Sequence, residues 1–162
     1  MREPSPATGI LRDREHLFAL RVYYEDTDLS GIAYHANYLR WCERARSDLL
    51  RPLGVDQRSA AEDGTGTYAV SELSIRYLAP ARLDDAVLIR TRAVQVGAAS
   101  VRLVQQAMLQ LDGGRDDGMA NGPMLAEAQV RVGFVGPGGR PTRQPAAWRA
   151  AFQSFVAPEE SP

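Results

Sequence analysis

Two aspartates, a glycine and a histidine lie within ten residues of one another, in the segment from Asp26 to His35. Alternating apolar residues precede this segment and a helical periodicity follows it, which places these residues in a turn between a strand and a helix. A carboxylate in such a turn could act as a general base on water or as a nucleophile on an acyl carbon. The first N–H groups of the helix, which lack partners within it, could stabilise a developing negative charge.

The same residues also have simpler structural interpretations. Asp26 and Asp28 are common turn formers, and their spacing alone does not select one of them for chemistry. Gly31 could supply a conformation that a residue with a side chain would resist. His35 could hydrogen-bond to the turn, orient water or a carbonyl through its ring, or polarise a carbonyl oxygen through its backbone N–H.

Polar side chains further along the predicted helix favour structural roles. Seven helical residues separate Cys42 from His35, about 10 Å along the axis, so the two cannot form a nucleophile–base pair. Cys42 is therefore predicted to be a small core residue. Glu43 is most simply an ion-pair partner of Arg46 or Arg44. The nearby aromatic residues are predicted to be core and rim side chains, some of which could line a pocket for an acyl or aryl group: Tyr23, Tyr24, Tyr34 and Tyr38.

The composition excludes several classes of site. All 19 basic residues are Arg, so a P-loop lysine and a Schiff-base lysine are both impossible. With only His16 and His35, a multi-histidine metal site is impossible as well. A net charge of −1 predicts neither nucleic acid nor an anionic membrane as a partner. The single Cys42, an N-terminus without an apolar signal core and the lack of a membrane-length apolar run predict a cytoplasmic location.

The periodicity predicts five strands and one long helix in a single domain over residues 17–156. We expect strands at 17–24, 67–78, 86–96, 100–111 and 124–135, with a tight antiparallel hairpin at 97–99. The helix spans residues 34 or 35 to 51, with one apolar face formed by Tyr38, Trp41, Cys42, Ala45, Leu49 and Leu53. A short helix is predicted near the C-terminus. Residues 1–16 are expected to form a flexible arm, 57–66 and 112–122 loops, and 157–162 a frayed tail.

This order predicts an α+β architecture in which an antiparallel sheet wraps around the helix. Leu39 and Leu50 lie off the main apolar face, so the helix is expected to be buried on more than one side. Five strands around one helix leave sheet edges uncovered, and pairing with a second chain would cover them. We therefore expect a homodimer or a homotetramer.

The turn and helix resemble the YbgC-like branch of the 4-hydroxybenzoyl-CoA thioesterase family, which has the hotdog fold. The first block of the resemblance consists of Tyr24, Asp26, Thr27, Asp28, Gly31, Tyr34, His35, Asn37, Tyr38, Glu43, Arg44 and Arg46. Two supporting blocks are IRYLAPARLDD, within residues 74–85, and GGRPTRQP, within residues 130–145. The resemblance covers about residues 17–145 and implies a five-stranded antiparallel sheet around one long helix.

By this resemblance, Asp28 matches the catalytic carboxylate and His35 the histidine at the helix start, whose backbone N–H would hold the thioester oxygen. Gly31 and Tyr34 would shape the turn, and Glu43 falls at a polar position of the helix that is typical of the family. With Tyr24 and Tyr38, these residues are the candidates for substrate binding. Family sites lie at a dimer interface, so partner residues near 67–73 would complete the pocket.

The resemblance implies hydrolysis of acyl-CoA, or of an acyl carrier protein thioester, without metal or bound cofactor. The coenzyme A phosphates would meet arginines, and Arg90, Arg92 and Arg102 are candidates. Two alternatives remain open from the sequence. One is a hotdog hydratase or dehydratase acting on acyl thioesters, and the other is a protein that binds an acyl thioester or acyl carrier protein without turnover.

Overall fold

A computed structural model describes residues 1–112 and 119–156 of the chain. In these residues one six-stranded antiparallel sheet wraps a long helix. The strands are β1 (Ile10–Arg12), β2 (Glu15–Arg21), β3 (Thr67–Tyr77), β4 (Ala86–Val96), β5 (Ser100–Asp112) and β6 (Met119–Val135). The helices are α1 (His35–Leu50), α2 (Gln57–Glu62) and α3 (Ala146–Phe155), with a 3₁₀ turn at Tyr24–Asp26. The strand order across the sheet is β1-β2-β4-β5-β6-β3, which puts the long strand β3 at one edge.

Helix α1 packs against the sheet along most of its length, as its periodicity predicts. Tyr38, Trp41, Cys42, Ala45 and Leu49 are all buried at steps of three and four residues. They join two core clusters, one at each end of the helix. The off-face Leu50 is buried too, which agrees with a helix covered on more than one side.

The second half of the chain supplies the main body of the sheet. Strand β6 alternates as predicted, with Ala126, Ala128, Val130, Val132 and Phe134 all buried on the face toward the helix. Strands β4 and β5 form the predicted hairpin, in which the Gly97 N–H donates to the Ser100 carbonyl over 2.8 Å. These long strands form the sheet surface against which α1 packs.

The prediction of a flexible arm is wrong for residues 10–16. Residues 10–12 form β1, which pairs with the start of β2, so the sheet has six strands and not five. His16 is fully buried, and its Nε2 lies 2.7 Å from an Asp48 carboxylate oxygen that also accepts the Gly9 N–H over 2.8 Å. A Cβ at Gly9 would lie 2.5 Å from the Leu17 carbonyl oxygen, so only glycine fits there. Burial lowers the pKa of His16.

Three further boundaries differ from the sequence prediction. The first predicted strand ends at Arg21, and Tyr24 belongs to the 3₁₀ turn. The predicted loop at 57–66 contains α2, which begins where the Asp56 carboxylate accepts the Ser59 N–H. Residues 119–122 of the predicted 112–122 loop lie in β6, whereas 113–118 and the predicted 157–162 tail fall outside the described residues. In the described part of the chain, no helix is long and apolar enough to cross a membrane.

Candidate active site

The turn between β2 and α1 is closed mainly by backbone hydrogen bonds. The Asp28 N–H donates to the Ile32 carbonyl over 3.1 Å, and the Gly31 N–H donates to the Asp28 carbonyl over 3.0 Å. Gly31 has φ = 79°, a conformation that side chains disfavour, which confirms the prediction for this glycine. The turn is also joined to the 79–85 segment, because the Ala33 N–H donates to the Ala81 carbonyl. The backbone that presents Asp28 is therefore well defined.

The two aspartates make different contacts in the turn. The Asp26 carboxylate accepts the Tyr23 N–H over 2.8 Å. The Asp26 carbonyl accepts both the Tyr34 N–H and the Asn37 side-chain amide, each over 2.8 Å. Asp26 therefore ties the 3₁₀ turn to the start of α1. This network gives Asp26 a structural role in the turn.

The exposed Asp28 carboxylate is bound through one oxygen only. Its Oδ1 accepts both the backbone N–H of Ser30, over 2.8 Å, and the Ser30 hydroxyl. Among the described residues, no hydrogen bond reaches Oδ2. The two bonds from Ser30, with a smaller contribution from the charge of His35, hold the pKa of Asp28 below its ordinary value. Asp28 is thus an ionised carboxylate with an oxygen available to water or a substrate.

Helix α1 begins directly after this turn, and its first N–H groups lack hydrogen-bond partners among the described residues. The helix starts at His35, and the preceding Tyr34 is extended and provides no side-chain cap. The Asn37 N–H donates to the Tyr34 carbonyl, but no acceptor within the described residues receives the His35 or Ala36 N–H. Such groups, at the positive end of the helix dipole, can stabilise an oxyanion. The His35 N–H could therefore donate to an oxyanion, as the sequence predicts.

Aromatic residues hold the start of α1 from two sides. The His35 ring lies 4.5 Å from the Tyr34 ring and 5.9 Å from the Tyr77 ring, measured between centroids. The Tyr77 hydroxyl also donates to the His35 carbonyl over 2.8 Å. Sequence reasoning missed Tyr77 because this contact joins residues 42 positions apart, and no local pattern indicates it.

The other predicted binding residues lie in different environments. Tyr24 and Tyr34 are exposed at the rim of the turn. Tyr38 is buried against Trp41, and its hydroxyl accepts the Ala81 N–H over 3.2 Å, so it helps to anchor the 79–85 segment. A part for any of these three tyrosines in substrate binding stays a prediction.

Glu43 forms the predicted ion pair with Arg46, which is itself buried. The Arg46 guanidinium also donates to the Gln105 side chain over 2.7 Å, so the pair continues into the space between helix and sheet. Glu43 and Arg46 line a cavity of about 90 Å³ whose other walls include Leu50, Leu103 and Phe152. The ion pair is a structural contact of Glu43, and contact of Glu43 with substrate stays a prediction.

Cys42 has no part in a nucleophilic site. It is buried, and burial raises the pKa of its thiol to about 11. The thiol is therefore protonated at neutral pH, and the prediction of a small core residue is confirmed.

The three arginines considered for coenzyme A lie on the sheet and already have carboxylate partners. Arg90 lies 2.7 Å and Arg92 3.8 Å from Glu15, and Arg102 lies 3.6 Å from Glu72. Binding of phosphate by any of them would compete with these ion pairs and stays a prediction.

Comparison with known proteins agrees with this arrangement. Residues 30–111 match the family model described as Thioesterase superfamily. The acyl-CoA thioesterase YbgC of Haemophilus influenzae is 36% identical over 141 residues, which are 86% of this chain and 96% of that protein. The crystal structure of a probable thioesterase from Bartonella henselae is 33% identical, with a TM-score of 0.68 over 81% of this chain and 99% of that one.

A further solved structure supports the fold. The crystal structure of a mutant 4-hydroxybenzoyl CoA thioesterase complexed with 4-hydroxybenzoyl CoA has a TM-score of 0.73 over 85% of this chain and 98% of that chain, at 19% identity. The antiparallel sheet around one long helix is the hotdog thioesterase fold, and the predicted fold class is confirmed. With a family model covering half of its length and a YbgC relative matched almost end to end, this chain belongs to the thioesterase superfamily.

Proposed function

We propose that this chain hydrolyses acyl-CoA thioesters at the junction of the turn and helix α1. One observation supports this most directly: Asp28 lies in the turn that leads into α1, and its Oδ2 accepts no hydrogen bond from the described residues. At the start of that helix the His35 N–H has no acceptor among the same residues. Asp28 would be the general base or the nucleophile, and the His35 N–H would polarise the thioester carbonyl. The family membership and the YbgC relative agree with this chemistry.

Two chemical routes fit the same residues. In the first, Asp28 takes a proton from water as the water oxygen bonds to the acyl carbon. The resulting oxyanion accepts the His35 N–H, and the carbon–sulfur bond then breaks to release the coenzyme A thiolate. In the second, Asp28 attacks the acyl carbon itself, the thiolate leaves, and water hydrolyses the mixed anhydride. Both routes give a carboxylic acid and free coenzyme A.

The thioesterase proposal is tested by product analysis. The wild-type protein is incubated with a saturated acyl-CoA and, separately, with the matching enoyl-CoA, and the products are identified by mass spectrometry. We expect free coenzyme A and the carboxylic acid from the saturated substrate. A hydratase would instead convert the enoyl-CoA to a hydroxyacyl-CoA and release no thiol. Tight binding of the saturated acyl-CoA without any product would favour the non-catalytic alternative.

The proposed active enzyme is a homodimer that pairs through strand β3, or a homotetramer built from such dimers. Strand β3 has eleven residues and forms the edge of the sheet beside β6. Val70, Leu73 and Tyr77 on this strand are 46%, 37% and 43% exposed. A long edge strand with exposed apolar side chains favours pairing with another strand. Because β3 also contacts His35 through Tyr77, a partner on this edge would lie near the proposed site.

Replacement of both Val70 and Leu73 by Lys is expected to dissociate the dimer, because antiparallel pairing of two copies would bring like charges together across the edge. The mass of the assembly is measured by light scattering after size-exclusion chromatography. Leu11→Lys is the matched control, since Leu11 is similarly exposed (41%) on β1, at the opposite edge of the sheet. Retention of the dimer by the double variant would argue against pairing through β3.

The same proposal includes two possible carriers of the acyl group, coenzyme A and acyl carrier protein. Coenzyme A and acyl carrier protein present the acyl group on the same phosphopantetheine arm, so both could reach the turn. With no lysine in the chain, anionic groups of either carrier would meet arginine or backbone N–H groups. A cytoplasmic location, where both carriers occur, stays a prediction.

A further inference from the structure

Ser30 donates two hydrogen bonds to a single oxygen of Asp28. Its backbone N–H lies 2.8 Å from Oδ1, and its hydroxyl donates to the same atom. The other oxygen, Oδ2, receives no hydrogen bond from the described residues.

The hydroxyl of Ser30 is not required to close the turn. Backbone bonds from Asp28 to Ile32 and from Gly31 to Asp28 already fix its path, and the Ser30 N–H adds a third contact. A similar arrangement occurs at Thr65, whose N–H and hydroxyl both donate to Asp63 Oδ1, away from α1. What differs at Ser30 is the setting of the carboxylate that it contacts: Asp28 lies in the turn that leads into α1, and the charge of His35 at the helix start acts on it.

We propose that Ser30 is a positioning residue, whose hydroxyl fixes the rotation of the Asp28 carboxylate and leaves Oδ2 as the oxygen that meets water or the acyl carbon. This inference depends on the proposed catalytic role of Asp28. It assigns a function to a residue whose type and position give no catalytic signal of their own, because a serine two residues after an aspartate is ordinary turn chemistry.

Among the groups near Asp28, Ser30 lowers the pKa of its carboxyl most. Its hydrogen bonds lower the pKa of Asp28 more than the charge of His35, on the adjacent helix, does. The neighbouring Asp26 carboxylate is held by the Tyr23 N–H. In the packed 79–85 segment, Arg82 pairs with Ile32 through its backbone, and the Asp85 carboxylate accepts the Arg82 N–H over 2.8 Å. Loss of the Ser30 hydroxyl should therefore raise the pKa of Asp28.

The test compares Ser30→Ala with Ser30→Thr. The pH dependence of kcat/KM for thiol release is measured for each variant, and the pKa of the Asp28 carboxyl is measured by carbon-13 NMR without substrate. In Ser30→Ala we expect both the acid limb and the Asp28 pKa to move to higher pH, because one of the hydrogen bonds that stabilise the carboxylate is lost. Ser30→Thr keeps a hydroxyl, and the backbone at Ser30 lies outside the left-handed region, so it should restore wild-type values.

Thr65→Ala serves as the matched control, because it removes the same hydroxyl contact from a carboxylate outside the site. It should leave the acid limb in place. An unchanged acid limb and Asp28 pKa in Ser30→Ala would overturn the role of Ser30. If Asp28→Asn retained full activity, the proposed catalytic role of Asp28 would fail instead, so the two failures are distinguishable.

Discussion

His35→Pro should lower kcat for thioester hydrolysis by about 10²–10³-fold, because proline removes the N–H assigned to the thioester oxygen. The native His35 N–H has no acceptor among the described residues, so the substitution breaks no hydrogen bond of the fold. Proline is favoured at the first position of a helix, and Tyr34 already has the extended conformation (φ −62°, ψ 133°) that proline requires of the preceding residue. Steady-state thiol release measures the loss.

His35→Ala separates the backbone from the ring. It removes the imidazole but keeps the N–H, and we expect a much smaller loss of kcat than in His35→Pro. Circular dichroism and the assembly mass should match wild type for both variants. Equal losses in the alanine and proline variants would show that the ring, and not the N–H, is the important group.

Asp28→Asn should lower kcat/KM by about 10²–10⁴-fold, whichever route the reaction takes. An amide can neither accept the proton of water nor form an anhydride, but it can still accept the Ser30 hydrogen bonds that fix the side chain. The fold and assembly should therefore be unchanged. Thiol release at saturating and at low substrate concentration measures the effect.

Asp26→Asn is the matched control from the same turn. Its amide oxygen can still accept the Tyr23 N–H, and the bonds to its backbone carbonyl do not involve the side chain. We expect a small effect on kcat/KM. A large loss in Asp26→Asn together with a small loss in Asp28→Asn would reverse the assignment of the two carboxylates.

Periodicity predicts the parts of this fold that bury one face of an element. Helix α1 and the 126–134 part of strand β6 follow their predicted apolar patterns, because packing of a helix against a sheet buries side chains at regular intervals in the sequence. The start of β6, at Met119, precedes the predicted start by five residues. Strand β1 leaves no such trace: its three residues are exposed, and it is held by pairing with β2. The burial of His16 cannot be predicted from a local pattern either, since its partner Asp48 lies 32 positions away on α1.

In the candidate site, too, local features can be predicted from the sequence and long-range contacts cannot. Residue types and the strand–turn–helix order locate Asp28, Gly31 and His35, because turns and helix starts are local features. The choice of Asp28 over Asp26 stays a prediction, because in the folded turn each carboxylate accepts one backbone N–H. The contact of Tyr77 with His35 requires β3 to lie beside α1, which no local sequence pattern specifies.

The most direct test of the central claim is the initial rate of free thiol release from an acyl-CoA panel of short, long and aromatic chains, with wild type beside Asp28→Asn. We predict release that is proportional to wild-type enzyme concentration for at least one chain class and is almost lost in the variant. No release by the wild-type assembly from any of these thioesters, or full release by Asp28→Asn, would contradict hydrolysis at Asp28.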